Sequence, residues 1–543
     1  METFSISGNL VDVHQQHIYP AEITVENNII KSIERLQDRT FDNYIMPGFI
    51  DSHIHIESSM LVPSEFARLA VSHGTIATVS DPHEIANVLG KKGVEFMLGN
   101  GAKVPFKFYF GVPSCVPATT FETAGAEISA KDTEELFLEY DLKYLSEMMN
   151  FPGVLYDFTD VAEKLEIARR LGKPIDGHAP GLRGKDVEKY VSAGISTDHE
   201  SLSLEEAEEK IGLGMKILIR EGSAVKDFEM LCTLIETNPD MCMLCSDDKH
   251  PDDLVQSHIN ELVKRALAKG FDLFKVLRTA CVNPVLHYKL DSGLLREGDC
   301  ADFIVVDNLN ELNVLRTYIN GSLVAENGKS LFGSVHVEPV NKFEVKHKQI
   351  SDFFVPAKGG KIRVVEALEG LLITNEIYAE EKSVDGNLVS DIEKDILIFT
   401  VVNRYSDSVP AVGFIKNFGL KQGAIATSVA HDSHNIIAVG TSDAELCSAV
   451  NKIIETKGGM AVVNGDNSLV LPLPVAGLMS TGDGFTVAEQ YSLLNKITKE
   501  LGTKLRAPFM TLSFMALLVI PKIKLSDKGL FDGTKFEFID LQV

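Results

Sequence analysis

The chain has little cysteine. Seven are spread over 543 residues. That number is odd and too sparse for a disulfide framework, which excludes a disulfide-stapled secreted scaffold and suggests a reducing compartment. Cys242 and Cys245 make a C-x-x-C, but they fall in the apolar run 241–245, which reads as a strand. Three residues apart on a strand means opposite faces, so a redox or zinc pair is not expected there. Basic charge is also short. The 52 Lys and Arg stand against 77 Asp and Glu, leaving a net charge of −25. This argues against nucleic acid or an anionic membrane as partner and suits a soluble surface. No apolar stretch is long enough to span a bilayer; the longest, around 515–520, stops at Pro521. The opening residues, METFSISGNLVDV, lack the basic and then apolar segments of a secretory signal. A cytoplasmic location is therefore the default expectation. No internal repeat or low-complexity tract is present.

What is present begins as a small β unit. Residues 1–46 show Leu10, Val11 and Val13, then Ile23 and Val25, then Ile29, Ile30 and Ile33, with Asn27-Asn28 between two of the runs. Short apolar strands then alternate with helical stretches over 47–287. Eight strands are expected, at 45–55, 76–81, 106–112, 144–149, 174–178, 195–199, 215–220 and 241–247. Eight βα units of this size fit a TIM-type (β/α)8 barrel, with its active site at the C-terminal strand ends. Short strands return over 288–340, and they are expected to complete the first β unit as one small β-sandwich-like domain. A polar linker near 340–360 leads to a C-terminal α/β domain at 350–543.

The strand ends bear the chemistry. Strand one ends in His53 and His55, within PGFIDSHIHIESS at 47–59. Residues two apart on a strand face the same way, so both imidazoles leave one face. Strand four carries Glu147, strand five ends in His178, strand six in His199 and strand eight in Asp247. Any one of these is an ordinary polar residue capping a strand. Six together at the catalytic end of a barrel point to metal. The number suggests two ions: His53, His55 and Asp247 on one, His178 and His199 on the other, Glu147 between them. Imidazole with carboxylate suits manganese, iron or zinc. Two cations ~3.5–4 Å apart pull the pKa of a shared water from 15.7 towards about 7. Asp247 is then both ligand and proton acceptor.

With these motifs in view the chain resembles the amidohydrolase superfamily and, within it, the bacterial-type adenine deaminase family. The broad marks are PGFIDSHIH, the strand-five and strand-six histidines and the strand-eight aspartate. The narrow ones are HIHIESSM (53–60), SDPHEIANVLG (80–90), VPSCVPATTFE (112–122), EMMNFPGV (147–154), DGHAPG (176–181), SVAHDSHNIIAVG (428–440) and LPLPVAGLMS (471–480). They run nearly end to end. The resemblance implies hydrolysis of adenine to hypoxanthine and ammonia, and two divalent ions, manganese or iron. It also implies a bridging glutamate at Glu147 where many relatives use a carbamylated lysine. A homo-oligomer is the common outcome for such soluble enzymes.

The proposed attack at C6 of a purine needs proton carriers. Asp247 is one. Glu84, after strand two, is a candidate contact for N1 or N3, or else a first-turn helix carboxylate. His83 is read as a substrate contact or a partner of a ligand. Asp248 either orients a histidine or caps the next helix. His431 and His434 hold a separate ion, contact substrate over the barrel mouth, or form a polar turn. The other zinc deaminase design, H-x-E with P-C-x-x-C, is absent, so deamination is expected to be of the barrel type, and the acidic net charge agrees with a free base rather than a polynucleotide as substrate. Two alternatives stand beside this: another amidohydrolase acting on a cyclic amide or purine-like ring, and a non-catalytic barrel scaffold.

Overall fold

The computed structural model describes residues 3–543. Eight short parallel strands form a ring: Phe49–Ile54, Thr75–Ser80, Lys107–Phe110, Leu145–Met148, Ile175–Gly177, Thr197–Asp198, Lys216–Arg220 and Cys242–Cys245. The ring closes where Asp247 N donates to His53 O at 2.9 Å and His55 N donates to Asp247 O at 3.3 Å. The strands are buried on both faces, so they read as apolar runs rather than alternating ones. Helices on the outside present one apolar stripe inward; Thr159–Arg170 buries Val161, Leu165 and Ala168. Ser129 and Asp132 close a capping box on Ala130–Glu139, fixing where that helix starts.

The strand expected at 45–55 is two strands. Tyr44–Pro47 joins the small β unit and Phe49–Ile54 enters the barrel. The break falls at Gly48, where a Cβ would stand 2.3 Å from Ile76 Cγ2. Only glycine lets the two barrel strands approach this closely.

Residues from both flanks of the barrel form one eight-stranded sheet. Its order is Lys329–Ser330, Ser322–Glu326, Val314–Ile319, Phe303–Val306, Tyr44–Pro47, Thr3–Asp12, His17–Glu26 and Ile29–Arg35. Leu10, Ile23, Ile45 and Phe303 share a core of their own beneath it.

A second eight-stranded sheet lies in the C-terminal region, centred on Ile396–Val402, Ile436–Gly440 and Ala424–Thr427. Strand alternation splits its side chains between two cores. Ile398, Ile436 and Ala438 pack with Leu446, Val450 and Ile453 of the helix Asp443–Thr456. Phe399, Ile437 and Val439 face the other way and join the core of the barrel. The two bodies are also tied by polar contacts: Ser480 N donates to Met60 O at 2.8 Å, and Asn435 Nδ2 to Thr123 O at 2.9 Å. The turn 428–435, between two strands of this sheet, is thereby held over the C-terminal end of the barrel. Among the described residues no helix is long and apolar enough to cross a membrane.

Candidate metal centre and active site

The six strand-end residues converge in one buried cluster. His53 and His55 lie on the same side of their strand, and their Nε2 atoms stand 3.2 Å apart. His55 Nε2 is also 3.2 Å from Glu147 Oε1 and 3.2 Å from Asp247 Oδ1. On the other side, Glu147 Oε2 lies 2.9 Å from His178 Nδ1 and 3.2 Å from His199 Nε2. Those two nitrogens are 3.3 Å apart. One carboxylate thus turns one oxygen to each histidine group.

This donor set fits divalent metal. Two imidazole nitrogens facing each other at hydrogen-bond distance share at most one proton when neutral, and here two such pairs meet two carboxylates out of water. Lone pairs brought together this way are what a cation stabilises, and N/O donors suit manganese, iron or zinc. Three-residue sets within the cluster, among them His53, His55 and Asp247, have ligand atoms all within 4.8 Å of one another.

The residues around the cluster fix its electrostatics. Burial pushes the Asp247 carboxyl up, but a hydrogen bond from His55 and the nearby Arg220 guanidinium outweigh it and hold Asp247 well below the usual carboxylate range. Arg220 Nη1 lies 2.7 Å from Asp247 Oδ2, and the same guanidinium pairs with Glu200 and Asp227. Asp247 sits at φ 55°, a left-handed conformation costing on the order of 1 kcal/mol. The backbone bonds that close the barrel keep it there. Asp51 supports the same corner: it accepts Ser246 N at 3.0 Å and His258 Nε2 at 2.8 Å.

Glu84 lies in the first turn of the helix His83–Leu89 and is buried. Its carboxylate is gripped from the C-terminal domain. His431 Nδ1 is 2.5 Å from Oε1, and His434 Nε2 binds Oε2. Burial pushes Glu84 up, yet the charge of His431, His434 and His83 holds it well below its usual range. Burial also lowers both imidazoles. For His431 the Glu84 charge and an Asp432 hydrogen bond overcome it; for His434 burial wins. His83 joins the two regions, with Nδ1 3.1 Å from Asp81 Oδ2 and 3.5 Å from Glu147 Oε1. Asp248 caps no helix; it accepts from Ser58 Oγ at 2.5 Å.

One pocket touches nearly all of these. His55, Glu147, His178, His199 and Asp247 line its floor, Glu84, His431 and Asp432 one side, and Leu372, Phe514, Leu517 and Val519 the apolar wall. His53, at 0% exposure, lies just behind the floor. Sequence reasoning missed Arg220, Asp81 and Glu200. Arg220 ends the seventh strand, so the strand-end rule alone points to it. The apolar wall was not foreseen: Leu517 and Val519 lie in the apolar run at 515–520, which by itself reads only as core, and none of the four residues falls in a motif.

The fold and this site define the class. The chain belongs to the amidohydrolase family, whose model matches residues 44–324. A second model, the adenine deaminase C-terminal domain, matches residues 371–537. Within the family the chain belongs with the adenine deaminases. It is 56% identical to adenine deaminase of Methanosarcina mazei over 98% of each chain. It is 56% identical to that of Sulfurovum over 98% of this chain and 99% of the relative, and 53% identical to that of Salinibacter ruber over 99% of each.

Proposed function

We propose that this chain hydrolyses adenine to hypoxanthine and ammonia, with His53, His55, Glu147, His178, His199 and Asp247 holding two divalent cations. The observation that supports it most is the Glu147 carboxylate, one oxygen toward each histidine group, beneath a pocket with an apolar wall. The whole-length likeness to adenine deaminases agrees. When bound, such ions supply positive charge that lowers the pKa of a water in the cluster and polarises the carbon under attack. Manganese or iron is the expected pair.

The protein's own groups then move the protons. Adenine lies between the floor and the apolar wall of Leu372, Phe514, Leu517 and Val519, with C6 above the cluster. Both Asp247 and Glu84 start as carboxylates, which is the state the structure holds them in. Water oxygen bonds to C6. Asp247 takes one proton of that water and delivers it to the exocyclic amine. Glu84, held at the N1 edge by His431 and His434, carries the other to N1. The C6–N6 bond breaks with its electron pair leaving on nitrogen, so ammonia departs and N1–H hypoxanthine remains. The apolar wall over the base keeps other water from the site. The direct test is hypoxanthine and ammonia measured together. Equal amounts from adenine support the reading, and no product from metal-loaded protein rejects it.

A further inference from the structure

The apolar wall of the pocket is built from two segments far apart in the chain. Leu372 comes from 371–373, just before the strand Thr374–Glu380, and Phe514, Leu517 and Val519 come from 514–519. The first segment is thinly held. The neighbours of Leu372 are turned to solvent, Leu371 at 51% and Ile373 at 43% exposure. Leu371 N donates back to Leu368 O at 3.2 Å, and Thr374 N donates to Pro521 O at 3.0 Å. Among the described residues, Leu372 and Ile373 make no backbone-to-backbone hydrogen bond. A short stretch tethered only at its ends opens easily unless something else holds it.

What holds it is Lys524. This side chain, on the short strand Ile523–Ser526, is 0% exposed. Its Nζ donates to Leu372 O at 2.6 Å and to Phe514 O at 3.0 Å, one carbonyl from each half of the wall. The strand that carries it is fixed to the same corner. Thr374 Oγ donates to Ile523 O at 2.8 Å, and Lys522 N donates to Thr374 O at 3.3 Å. A lysine is almost never fully buried unless paired. Burial alone pushes this one from 10.5 down to about 7, so keeping it here opposes stability. A neutral amine has two N–H groups, and two carbonyls stand there to accept them. A methionine would fill similar space without that penalty. The amine is therefore explained by what it ties together rather than by how it packs.

We propose that Lys524 is a positioning residue for the substrate, a clasp that ties the carbonyls of Leu372 and Phe514 and so fixes the spacing of the two wall segments over the pocket. The identity of that substrate rests on the deaminase reading above; the clasp itself does not. Lys524 is not among the residues that line the pocket, and it acts through Leu372 and Phe514, which are. A wall held at one spacing contacts the base equally in the ground state and the transition state. Its loosening is therefore read in KM, with kcat left where it was.

The test compares manganese-loaded full-length wild type with Lys524→Met, which keeps an unbranched side chain and removes the donors. The first readout is limited digestion by thermolysin, which cuts before exposed leucine and isoleucine and needs no turnover. Cleavage within 371–373 is expected to be at least about tenfold faster in the variant, with digestion elsewhere unchanged. The second is the adenine assay. KM is expected to rise about tenfold, with kcat within about twofold and two ions bound per chain. In a Leu372→Ala background the same substitution should raise KM no further, because the clasp acts through that side chain. A lysine with a structural role only would lower kcat and bound metal together and would add its effect to that of Leu372→Ala. A wild-type cleavage rate or a wild-type KM in the folded variant overturns the clasp. Faster cleavage at 371–373, in a protein whose wild type does not turn over adenine, supports the clasp and rejects the deaminase reading. Should Lys524→Met fail to fold, Lys524→Leu decides by the same readouts.

Discussion

His434 of the C-terminal domain binds the carboxylate of Glu84 on the barrel, a contact between residues 350 positions apart in the chain. Both side chains are essentially inaccessible to solvent. His434 sits at φ 53°, so its backbone is also held in the left-handed region. The last domain therefore reaches into the catalytic pocket and sets one of its carboxylates, rather than merely covering the opening. Removing the imidazole should leave Glu84 a buried, under-paired charge. His434→Ala is expected to lower kcat/KM on the order of 100-fold, about 2.7 kcal/mol. Bound metal should stay at two ions per chain. Loss of metal together with activity would show that the contact supports the cluster instead.

Glu147 contacts both histidine sets, through Oε1 to His55 and Oε2 to His178 and His199. Glu147→Gln keeps the volume and removes the charge. Metal content after dialysis should fall below two ions per chain, and turnover should fall by at least about 100-fold. Elemental analysis and the adenine assay on one preparation check this. Full activity with two ions would mean that the carboxylate does not bridge.

Arg220 should matter without touching the reacting atoms. Its one guanidinium pairs with the carboxylates of Asp247, Glu200 and Asp227. Arg220→Met removes the guanidinium shared by the buried Asp247 and Glu200 and the part-buried Asp227, so a loss of several kcal/mol of stability is expected. A thermal melt at pH 7.5 should show it as a lower Tm. Arg220→Lys restores charge but not the fork that reaches several carboxylates at once, and should recover only part of the loss.

Sequence legibility followed the barrel rule. The six strand-end residues were readable because each ends a short apolar run, and a barrel gathers strand ends on one face. His83 and Glu84 were readable as neighbours of the second strand, but not their partners. No local pattern links His434 to Glu84, since that contact depends on how the C-terminal sheet packs on the barrel. The strand at 45–55 misled for a similar reason. Its apolar run is continuous in sequence, and only the approach of Ile76 makes Gly48 a boundary.

Lys524 offers a test of packing through pH. It is buried, and Nζ donates to Leu372 O at 2.6 Å and Phe514 O at 3.0 Å, both on the pocket wall. Burial pushes it from 10.5 down to about 7. The unfolded chain therefore binds a proton between pH 7 and 10.5 that the folded chain does not. Stability gained from this residue rises with pH across that window and is flat below 7. The slope is at most about 1.4 kcal/mol per pH unit. Urea midpoints of the wild type minus those of Lys524→Met should climb from pH 7 to 9. A difference independent of pH would mean that the lysine stays charged in the folded state.

The most direct measurement is an assay of manganese-loaded protein with adenine, following absorbance and ammonia in the same tube while counting bound metal. Hypoxanthine and ammonia in equal amounts are expected from protein holding two ions per chain. Two ions bound with no turnover of adenine would contradict it and move the search to other ring substrates.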